Sequence, residues 1–454
     1  PLLAVVQPTK DKVRPVMDYR ELNEFVECHT GDEHVAICAE KVRKWRQLDN
    51  KLKLVDLKSA YLQIRISEDL WQYQVVRYNG RHYALTRLGF GLSSAPRIMT
   101  RVLGKVLSLD KDVDRGTDHY IDDILVQESI VSAAKVREHL LRYGFESKEP
   151  MDLDGGKVLG IALNKSSGDF EMSRGTPLSS LPDVDENLTK RGLFSLCGKL
   201  TGHYPVAGWI RPHCSFLKRL GSDGPWDDPV SDDVRLLASD LLKRARLEDP
   251  VKGRWSVDKN GKVIVYTDAS SLAMGIVATV NGSVVEDSTW LRKKSDCLHI
   301  NVAELEAVAR GINLAIMWGF KTFTIATDSR TVLSWLDNTV SACSRVRTKG
   351  AAQMLIKRRL GVIKDTIDEY GLNVDFQFVS TTENKADKLT RVIQKWLSYR
   401  NDKDDSCGAA AARCTASHSA SIVTRRTIAE AIKTAHLPHH LGVDRTLFLV
   451  KRIC

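Results

Sequence analysis

The chain has 454 residues, of which 43% are hydrophobic and 27% charged. This length predicts roughly two to four folded domains, and the apolar content excludes a wholly disordered chain. No run of about 18 or more apolar residues indicates a membrane span, and no charged-then-apolar segment indicates a signal peptide. The 67 Lys and Arg residues against 57 Asp and Glu residues give a net charge of +10, which makes a polyanion such as nucleic acid the first candidate partner.

The composition changes along the chain and predicts five segments. They are an α/β segment at 1–165, a mainly helical segment at 166–255, a second α/β segment at 256–398, a polar linker at 399–421 and a short helical tail at 422–454. The linker is rich in small and polar residues and has no periodic apolar face, which is typical of flexible chain. Apolar periodicity predicts individual strands and helices at 53–56, 121–126, 188–201, 232–247, 263–267, 274–280, 302–318 and 322–327.

The first α/β segment contains two groups of acids at the ends of predicted strands. Tyr120-Ile121-Asp122-Asp123 has apolar neighbours on both sides, which predicts a β-hairpin whose turn presents carboxylates, although a plain Asp-Asp turn is the alternative. Asp56 closes the strand-like run before it. If the strand and the hairpin share a sheet edge, these hard oxygen ligands suit paired Mg²⁺ ions. Two such ions stabilise the attacking and leaving oxygens of a displacement at phosphorus.

Five motifs in this segment together resemble the retroviral-type reverse transcriptases. In chain order they are the fingers motif at 12–23, the first palm motif at 56–61, the nucleotide-pocket motif at 88–96, the hairpin at 120–123 and the primer grip at 158–160. The resemblance implies a right-hand polymerase with fingers, palm and thumb. In one departure, Gly89 stands where the family usually has Pro, which is expected to loosen the turn. Little chain precedes the first motif, so the fingers are expected to be truncated.

The resemblance assigns chemical roles to the matching acidic and basic residues. Asp56 and Asp122 would be catalytic metal ligands, and Asp123 would be a catalytic residue that supports them. Arg14 would hold the incoming triphosphate, since a guanidinium fork matches phosphate oxygens. Lys12 is either a second phosphate contact or a solvated loop charge.

The resemblance also assigns the residues around the incoming nucleotide. Tyr61 would lie under the sugar and exclude a 2′-hydroxyl, with a core aromatic as the alternative. Phe90 and Gly91 would let the pair of template base and nucleotide approach closely. Lys148 would donate a proton to pyrophosphate, or it is a surface lysine.

A second set of acids lies in the segment 256–398. These acids follow in the order Asp, Glu, Asp, Asp on a strand, a helix, a strand and the start of a late helix: Asp268, Glu304, Asp328 and Asp387. Each alone is also consistent with a strand-end turn or a helix-dipole partner. The order resembles the ribonuclease H fold, which implies that the four are catalytic metal ligands that cut RNA paired to DNA with two Mg²⁺ ions.

Three further residues of this segment bear on the nuclease. Ser270 and Ser329 are candidates for polar contacts near the metals, although serines at strand ends are commonly turn residues. Phe378 stands where many relatives have a histidine before the final Asp. We therefore expect cleavage to be retained but slower.

The middle of the chain, 193–209, resembles the segment between polymerase and nuclease in gypsy-type LTR retrotransposons, where it would act as thumb and connection. Lys199, Arg211, Lys218 and Arg219 would contact phosphates there, and solvated helix faces explain them equally well.

The C-terminal segment resembles the start of an integrase zinc-binding domain. His436 and His440 have the His-x₃-His spacing of half a zinc site, with His439 as an alternative ligand and a metal-free histidine cluster as the alternative interpretation. Cys454 lacks a partner cysteine, and none of the nine cysteines forms a Cys-x-x-Cys pair, which favours a reducing compartment. We expect the chain to end inside the integrase and, because it begins with Pro1, to be a piece of a longer protein.

Together these resemblances imply part of an LTR-retrotransposon or retroviral Pol polyprotein that copies RNA into DNA and cuts the RNA of the hybrid. The expected cofactors are two Mg²⁺ ions for each active site, with Mn²⁺ as a substitute, and Zn²⁺ only in a complete integrase domain. The expected partners are RNA template, DNA primer, RNA–DNA hybrid and deoxynucleoside triphosphates, with no membrane and with a homodimer left open.

The expected location is a cytoplasmic virus-like particle, and later the nucleus as part of an integration complex. Two other interpretations stay open. One is a catalytically silent nucleic-acid-binding remnant or structural subunit, against which the complete set of carboxylates counts. The other is a non-LTR reverse transcriptase, against which the ribonuclease H arrangement and the integrase-like tail count.

Overall fold

The computed structural model describes residues 2–7, 12–26, 38–166, 168–293, 296, 299–340 and 353–398. All of them fall in one compact unit, Pro1–Tyr399. The predicted linker at 399–421 and the predicted tail at 422–454, with His436, His439, His440 and Cys454, lie outside the described residues. Within the described ranges, no helix combines the length and apolar character of a membrane-spanning segment.

The first part of the chain is built on an antiparallel sheet of four strands, in the order β6-β7-β3-β8. The strands of this part are β1 Leu2–Gln7, β2 Lys12–Met17, β3 Leu52–Asp56, β4 Val75–Tyr78, β5 Arg81–Ala84, β6 Thr117–Tyr120, β7 Asp123–Gln127 and β8 Met151–Asp152. The helices are α1 Arg20–Phe25, α2 Cys38–Trp45, α3 Ala95–Leu107, α4 Lys111–Gly116 and α5 Ala133–Arg142, with 3₁₀ helices at Ala60–Gln63 and Glu68–Tyr73.

Both faces of this sheet are buried. Ile124 and Val126 of β7 pack with α3 and α5, whereas Leu125 between them packs on the other face with Trp45 of α2. Successive side chains of a strand point to opposite faces. A strand covered on both sides therefore appears in the sequence as a continuous apolar run, which is why Ile124-Leu125-Val126 lacks polar alternation.

The middle of the chain combines a second antiparallel sheet with three helices. Its strands, in the order β12-β11-β10-β9, are β9 Lys157–Val158, β10 Ile161–Ser166, β11 Asp169–Arg174 and β12 Lys252–Arg254. The helices are α6 Lys190–Thr201, α7 Ile210–Leu220 and α8 Asp232–Leu247, after a 3₁₀ helix at Leu178–Ser180. Helix α8 has the bounds predicted for it: Ser231 caps its start by accepting a hydrogen bond from the Val234 amide, and Arg244 and Arg246 complement the dipole at its end.

The last described part is a five-stranded mixed sheet with helices, in the strand order β15-β14-β13-β16-β17. Its elements are β13 Val263–Ala269, β14 Ala273–Val280, β15 Ser283–Leu291, α9 Ile300–Met317, β16 Thr322–Thr327, α10 Arg330–Val340, α11 Gln353–Tyr370, β17 Asn373–Phe378 and α12 Gln394–Leu397. Strands β13, β14 and β15 are antiparallel, while β13, β16 and β17 are parallel. The predicted combination of α/β and α+β parts is confirmed.

The prediction that Asp387 opens a late α-helix was wrong. Asp387–Leu389 forms a single 3₁₀ turn, closed by a hydrogen bond from the Thr390 amide to the Asp387 carbonyl (3.1 Å). The Thr390 hydroxyl points back to Asp268, so the chain turns towards β13 and the next helix, α12, begins at Gln394.

Candidate active sites

The first cluster of acids lies where β3 meets the hairpin of β6 and β7. Asp56, the last residue of β3, is the register partner of Asp123, and Asp123 is also the partner of Tyr120 across the hairpin. The turn between them is Ile121-Asp122, and Ile121 has a φ of +57°. A β-branched residue in the left-handed region is strained. The predicted hairpin is therefore confirmed, and its strained turn carries Asp122.

Burial and neighbouring charges raise the pKa values of Asp122 and Asp123. Burial raises the pKa of Asp123 to about 6, and the charges of Asp122 and Asp56 add to this effect. Burial also raises the pKa of Asp122, with a further contribution from Asp56. The Lys148 ammonium forms an ion pair with the Asp56 carboxylate, and the Lys148 amide donates to the Asp56 carbonyl (2.8 Å). Lys148 is thus part of the cluster.

The aromatic residues assigned to the nucleotide pocket lie together beside these acids. Tyr61 is half-buried, and its ring meets the ring of Phe90 edge-on with 5.6 Å between centroids, while Phe90 is 61% exposed. Gly91 has a φ of +107°, and its carbonyl accepts a hydrogen bond from the Asn23 side chain (3.0 Å). Asn23 is the last residue of the fingers motif at 12–23, and sequence reasoning missed this link to the pocket loop.

The expectation that Gly89 loosens this turn was wrong. A Cβ atom at Gly89 would lie 2.4 Å from both the Gln74 Oε1 and the Tyr19 hydroxyl. Those two side chains are buried and joined by a hydrogen bond of 2.9 Å. Gly89 therefore allows the pocket loop to pack closely against them.

The position of the triphosphate-binding residues is described only in part. The backbone of Arg14 and Lys12 lies on β2, next to β1. The side chains of both residues lie outside the described part of the chain, so their assignment stays a prediction.

The second cluster of acids lies at one edge of the five-stranded sheet. Parallel pairing puts Thr267 of β13 opposite Thr327 of β16, so Asp268 and Asp328, each one residue further on, lie at the same edge. Glu304 comes from α9, and its Oε2 is buried without a hydrogen-bond partner among the described residues. Asp387 approaches from the 3₁₀ turn.

The electrostatic interactions show that these acids are neighbours. Burial raises the pKa of Asp268, and Asp328 and Asp387 add to this, although a hydrogen bond from Thr390 opposes it. Burial raises the pKa of Glu304 as well, with contributions from Asp328 and Asp268 against a hydrogen bond from Ser329. The structure thus brings together the four acids that the sequence placed on four separate elements.

Hydroxyl groups hold two of these carboxylates. The Thr390 Oγ1 donates to the Asp268 Oδ2 (2.7 Å), and the Thr381 Oγ1 donates to the Asp328 Oδ2 (2.8 Å). Sequence reasoning missed both threonines, and the only available signal was that Thr390 stands three residues after Asp387. At the rim, an Arg391 Nη2 lies 2.5 Å from the Asp387 Oδ1.

The other candidates of this segment have structural contacts. The Ser270 Oγ accepts hydrogen bonds from the amides of Leu272 and Ala273 and donates to the Thr390 carbonyl (2.7 Å), so Ser270 is a turn residue that also ties the Asp387 segment to β13. The Phe378 ring is covered by the Arg330 guanidinium, 4.7 Å from its centroid.

Two of the proposed phosphate contacts in the middle of the chain are engaged elsewhere. Arg211 forms an ion pair with Asp287, and Arg219 donates to the Arg292 carbonyl (2.6 Å). For Arg211 the predicted phosphate contact is wrong, because its guanidinium is largely buried in this pair. Lys218 lies 5.9 Å from the Phe194 ring centroid, and Lys199 is exposed.

Among the described residues, no three or more His, Cys, Asp or Glu side chains converge in a geometry that holds a metal ion. The carboxylates instead form ion pairs with Lys148 and Arg391 and accept hydrogen bonds from Thr390 and Thr381. The donor chemistry nevertheless fits a divalent cation. All ligands are hard oxygens, the acids repel one another, and the buried Glu304 Oε2 has no partner in the described part.

Comparison with protein families gives three matches. Residues 6–144 match the family described as reverse transcriptase (RNA-dependent DNA polymerase), and residues 260–359 match one described as reverse transcriptase-like. Residues 189–246 match a domain of unknown function. The two carboxylate clusters fall within these matches, except that Asp387 follows the second one.

One relative and several solved structures cover most of the chain. The retrovirus-related Pol polyprotein from transposon 297 of Drosophila melanogaster is 24% identical over 415 residues, which are 84% of this chain but 34% of that protein. The chain therefore spans about a third of this relative.

Among solved structures, the foamy viral protease-reverse transcriptase in complex with RNA/DNA hybrid has a TM-score of 0.60 at 15% identity and covers 87% of this chain and 52% of its own. The same viral protein with dsDNA has a TM-score of 0.61 at 15% identity and covers 84% and 77%. At this identity the likeness shows the fold, and it confirms the predicted combination of a right-hand polymerase with a ribonuclease H-like domain.

Proposed function

We propose that this chain, which contains a reverse transcriptase domain and a ribonuclease H-like domain and is a homologue of a retrovirus-related Pol polyprotein, copies RNA into DNA and cuts the RNA strand of the resulting hybrid. The observation that carries the proposal is the pairing of Asp56 with Asp123 beside the Asp122 turn, inside the matched polymerase domain. A second acid cluster, in the nuclease domain, supports the second activity.

The chain's own residues would prepare both reactions. In the first site Asp56 and Asp122 would hold Mg²⁺, with Asp123 as support, and in the second site the ligands would be Asp268, Glu304, Asp328 and Asp387. When bound, Mg²⁺ or a substituting Mn²⁺ neutralises charge on the reacting phosphate oxygens. The pKa values of Asp122, Asp123, Asp268 and Glu304 are raised, and a bound cation would favour their charged forms.

The pocket beside the first site would select the nucleotide. The Tyr61 ring, fixed edge-on by Phe90, would form the surface under the sugar, and Gly91 would leave room for the base pair. Arg14 on β2 would bind the triphosphate. We propose RNA template, DNA primer and deoxynucleoside triphosphates as substrates, and a cytoplasmic virus-like particle as the place of synthesis. The solved relatives bind RNA/DNA hybrid and dsDNA, which supports nucleic acid as the partner.

The test is extension of a DNA primer on an RNA template with Mg²⁺, comparing deoxynucleotides with ribonucleotides and following the labelled RNA in the same reaction. We expect extension with deoxynucleotides and shortening of the RNA. Asp152→Asn is a matched control, because Asp152 is an exposed acid on β8 of the same sheet. A protein that binds the hybrid but neither extends nor cuts would instead be a silent remnant.

A further inference from the structure

Two adjacent acids on β15, Glu286 and Asp287, are buried and lie outside both carboxylate clusters. Their exposed fractions are 8% and 3%. Buried carboxylates are costly unless they are paired. The cationic partners of both acids lie in parts of the chain that precede the ribonuclease H-like domain, here called the nuclease domain. We call Glu286 and Asp287 the docking acids, because the nuclease domain meets the preceding part of the chain, which includes the polymerase domain, at these two residues.

Glu286 is bound by a helix of the polymerase domain. The Arg43 Nε and Nη2 of α2 donate to its two oxygens, each at 2.8 Å. The Trp318 Nε1, at the end of α9, donates to the same carboxylate (2.8 Å). A bidentate arginine fixes direction as well as distance, so α2 is held in one orientation on the nuclease sheet.

Asp287 is bound by the connection between the halves. The amides of Ala207 and Gly208 donate to its Oδ2 at 3.0 and 2.7 Å, and Arg211 forms an ion pair with it. The Asp287 amide in turn donates to the Pro205 carbonyl (2.9 Å). This carboxylate is therefore satisfied by backbone and side-chain donors of a single short segment.

A third contact lies next to the docking acids. Arg46, which follows α2, is fully buried and donates to the carbonyls of Trp255, Val285 and Arg254 at 2.8, 2.6 and 3.0 Å. Its guanidinium lies 5.2 Å from the Trp318 ring centroid. The polymerase domain thus contacts the nuclease domain through arginine residues one helical turn apart.

The opposite side of α2 contacts the hairpin of β6 and β7, which carries the first cluster of acids. Asp118 of β6, two residues before Tyr120, accepts a hydrogen bond from the Trp45 indole (2.9 Å) and pairs with Lys41 and Lys44 at 2.6 and 3.0 Å. One short helix therefore links the strand that carries the first site to the sheet that carries the second.

Apolar packing is continuous across the same boundary. Trp255 and Val284 pack with Trp45 and Leu125, and Trp396 packs with α7 and α8. Domains move relative to each other by default unless the interface is large and hydrophobic. Here buried ion pairs and apolar side chains together oppose such motion.

We propose that Glu286 and Asp287 are positioning residues, which hold the nuclease domain in one orientation on the polymerase domain so that a duplex leaving the first site reaches the second at one fixed distance. This inference rests on the proposed function. If it is correct, the polymerase domain and the nuclease domain move along the duplex as one rigid body.

The test uses the full chain and a labelled RNA annealed to a DNA primer, without nucleotides, so that each cut is measured from the primer 3′ end. The parent should cut in one narrow window. Arg43→Gln, Glu286→Gln and their combination should spread the cuts over several positions. Cutting of a long hybrid away from its ends should stay within about twofold, because the hydrogen bonds of Arg43 and Glu286 join them to each other and to Trp318 rather than to the nuclease carboxylates. Arg43→Lys, which keeps the charge, should restore part of the narrow window.

Arg142→Gln is the matched control, because it removes an exposed pair with Glu138 (3.6 Å) on a helix away from the boundary. Small-angle X-ray scattering of the proteins alone should show a larger radius of gyration for Glu286→Gln than for the parent or the control. The double variant should be no worse than the worse single variant, since both changes remove one ion pair.

Other outcomes overturn the inference. If the parent cuts at scattered distances from the primer 3′ end, there is no fixed spacing between the sites. If the variants keep the narrow window of the parent, the pair of Arg43 with Glu286 does not set that spacing. A parent that neither extends nor cuts overturns the proposed function instead. In that case an unchanged radius of gyration in Glu286→Gln overturns the docking as well, and an increased one supports it.

Discussion

The two carboxylate clusters neutralise their negative charge in different ways. In the first cluster a lysine, Lys148, is paired with Asp56 before any metal binds. In the second, Arg391 pairs with Asp387 at the rim, but neutral hydroxyl groups hold Asp268 and Asp328, and the buried Glu304 Oε2 has no partner among the described residues. Hydroxyl groups satisfy hydrogen bonds but do not cancel charge. Asp268, Glu304 and Asp328 should therefore depend more strongly on added cations for their order than Asp56 does, and the two sites should fail independently.

The largest expected effect is a reciprocal loss of activity. Asp122→Asn should lower primer extension on RNA by at least about 100-fold, because it removes a charge that must hold the metal at the reacting phosphate, while hybrid cleavage continues. Asp328→Asn should do the reverse. Extension and cleavage are measured on the same substrate. Loss of both activities in either variant would argue against two separate sites, and continued cleavage by Asp328→Asn would remove that residue from the nuclease.

The next prediction tests whether Glu304 belongs to the second carboxylate cluster. Glu304→Gln should lower hybrid cleavage by about 100-fold. Glu306, two residues along the same helix, pairs with Arg310 and Arg359 at 3.3 and 3.1 Å and serves as the control. Glu306→Gln should keep cleavage and lower the free energy of unfolding by less than about 1 kcal/mol, as for other partly exposed pairs. Equal loss in both variants would mean that α9 as a whole, rather than Glu304, supports the activity.

A smaller effect concerns the first site alone. Tyr61→Val should raise the use of ribonucleotides relative to deoxynucleotides by about 10- to 100-fold, because removing the ring opens space for a 2′-hydroxyl. Tyr61→Phe keeps the ring and its contact with Phe90 and should behave as the parent does. The measurement is single-nucleotide incorporation with each nucleotide type. An unchanged ratio in Tyr61→Val would support the alternative of a core aromatic.

Sequence reasoning succeeded where one local pattern determines the structure. The Asp122 hairpin was predictable because apolar runs flank the two acids on both sides. Strand β16 has the bounds predicted for it, since the β-branched and aromatic residues that make up most of it favour a strand. The meeting of Asp268 with Asp328 was predicted from the order of the acids on strand, helix and strand, through the resemblance to the ribonuclease H fold.

It failed where side chains distant in sequence decide the outcome. Glu286 and Asp287 carry no local sign that Arg43 and Arg211 will bind them, so Arg211 was interpreted as either a phosphate contact or part of a solvated helix face. Gly89 was interpreted as a loosened turn because its neighbours, Tyr19 and Gln74, lie far away in the chain. These contacts arise from tertiary packing, which periodicity does not report.

The smallest effect tests the charge balance of the first cluster through stability. The pKa of Asp123 is raised from 3.8 to about 6 in the folded protein, by burial and then by Asp122 and Asp56. Protonation of Asp123 at low pH therefore stabilises the folded protein relative to the unfolded one. This contribution to the free energy of unfolding is lost as the pH rises through about 6. In metal-free buffer at pH 7.5, Asp123→Asn should consequently raise the free energy of unfolding by about 1–3 kcal/mol, discounted for partial exposure.

The pH dependence and the response to metal distinguish this effect from a general improvement in packing. The advantage of Asp123→Asn should shrink as the pH is lowered from about 6 towards 4, because the parent carboxyl is then protonated as well. Added Mg²⁺ should stabilise the parent more than the variant. Urea unfolding at several pH values, with Asp152→Asn as the exposed control, measures both. Two outcomes would contradict this prediction: an advantage that does not depend on pH, and a variant less stable than the parent at pH 7.5. Either would mean that the Asp123 charge is already compensated without metal. The first cluster would then be neutralised by the chain at Asp123 as well as at Asp56.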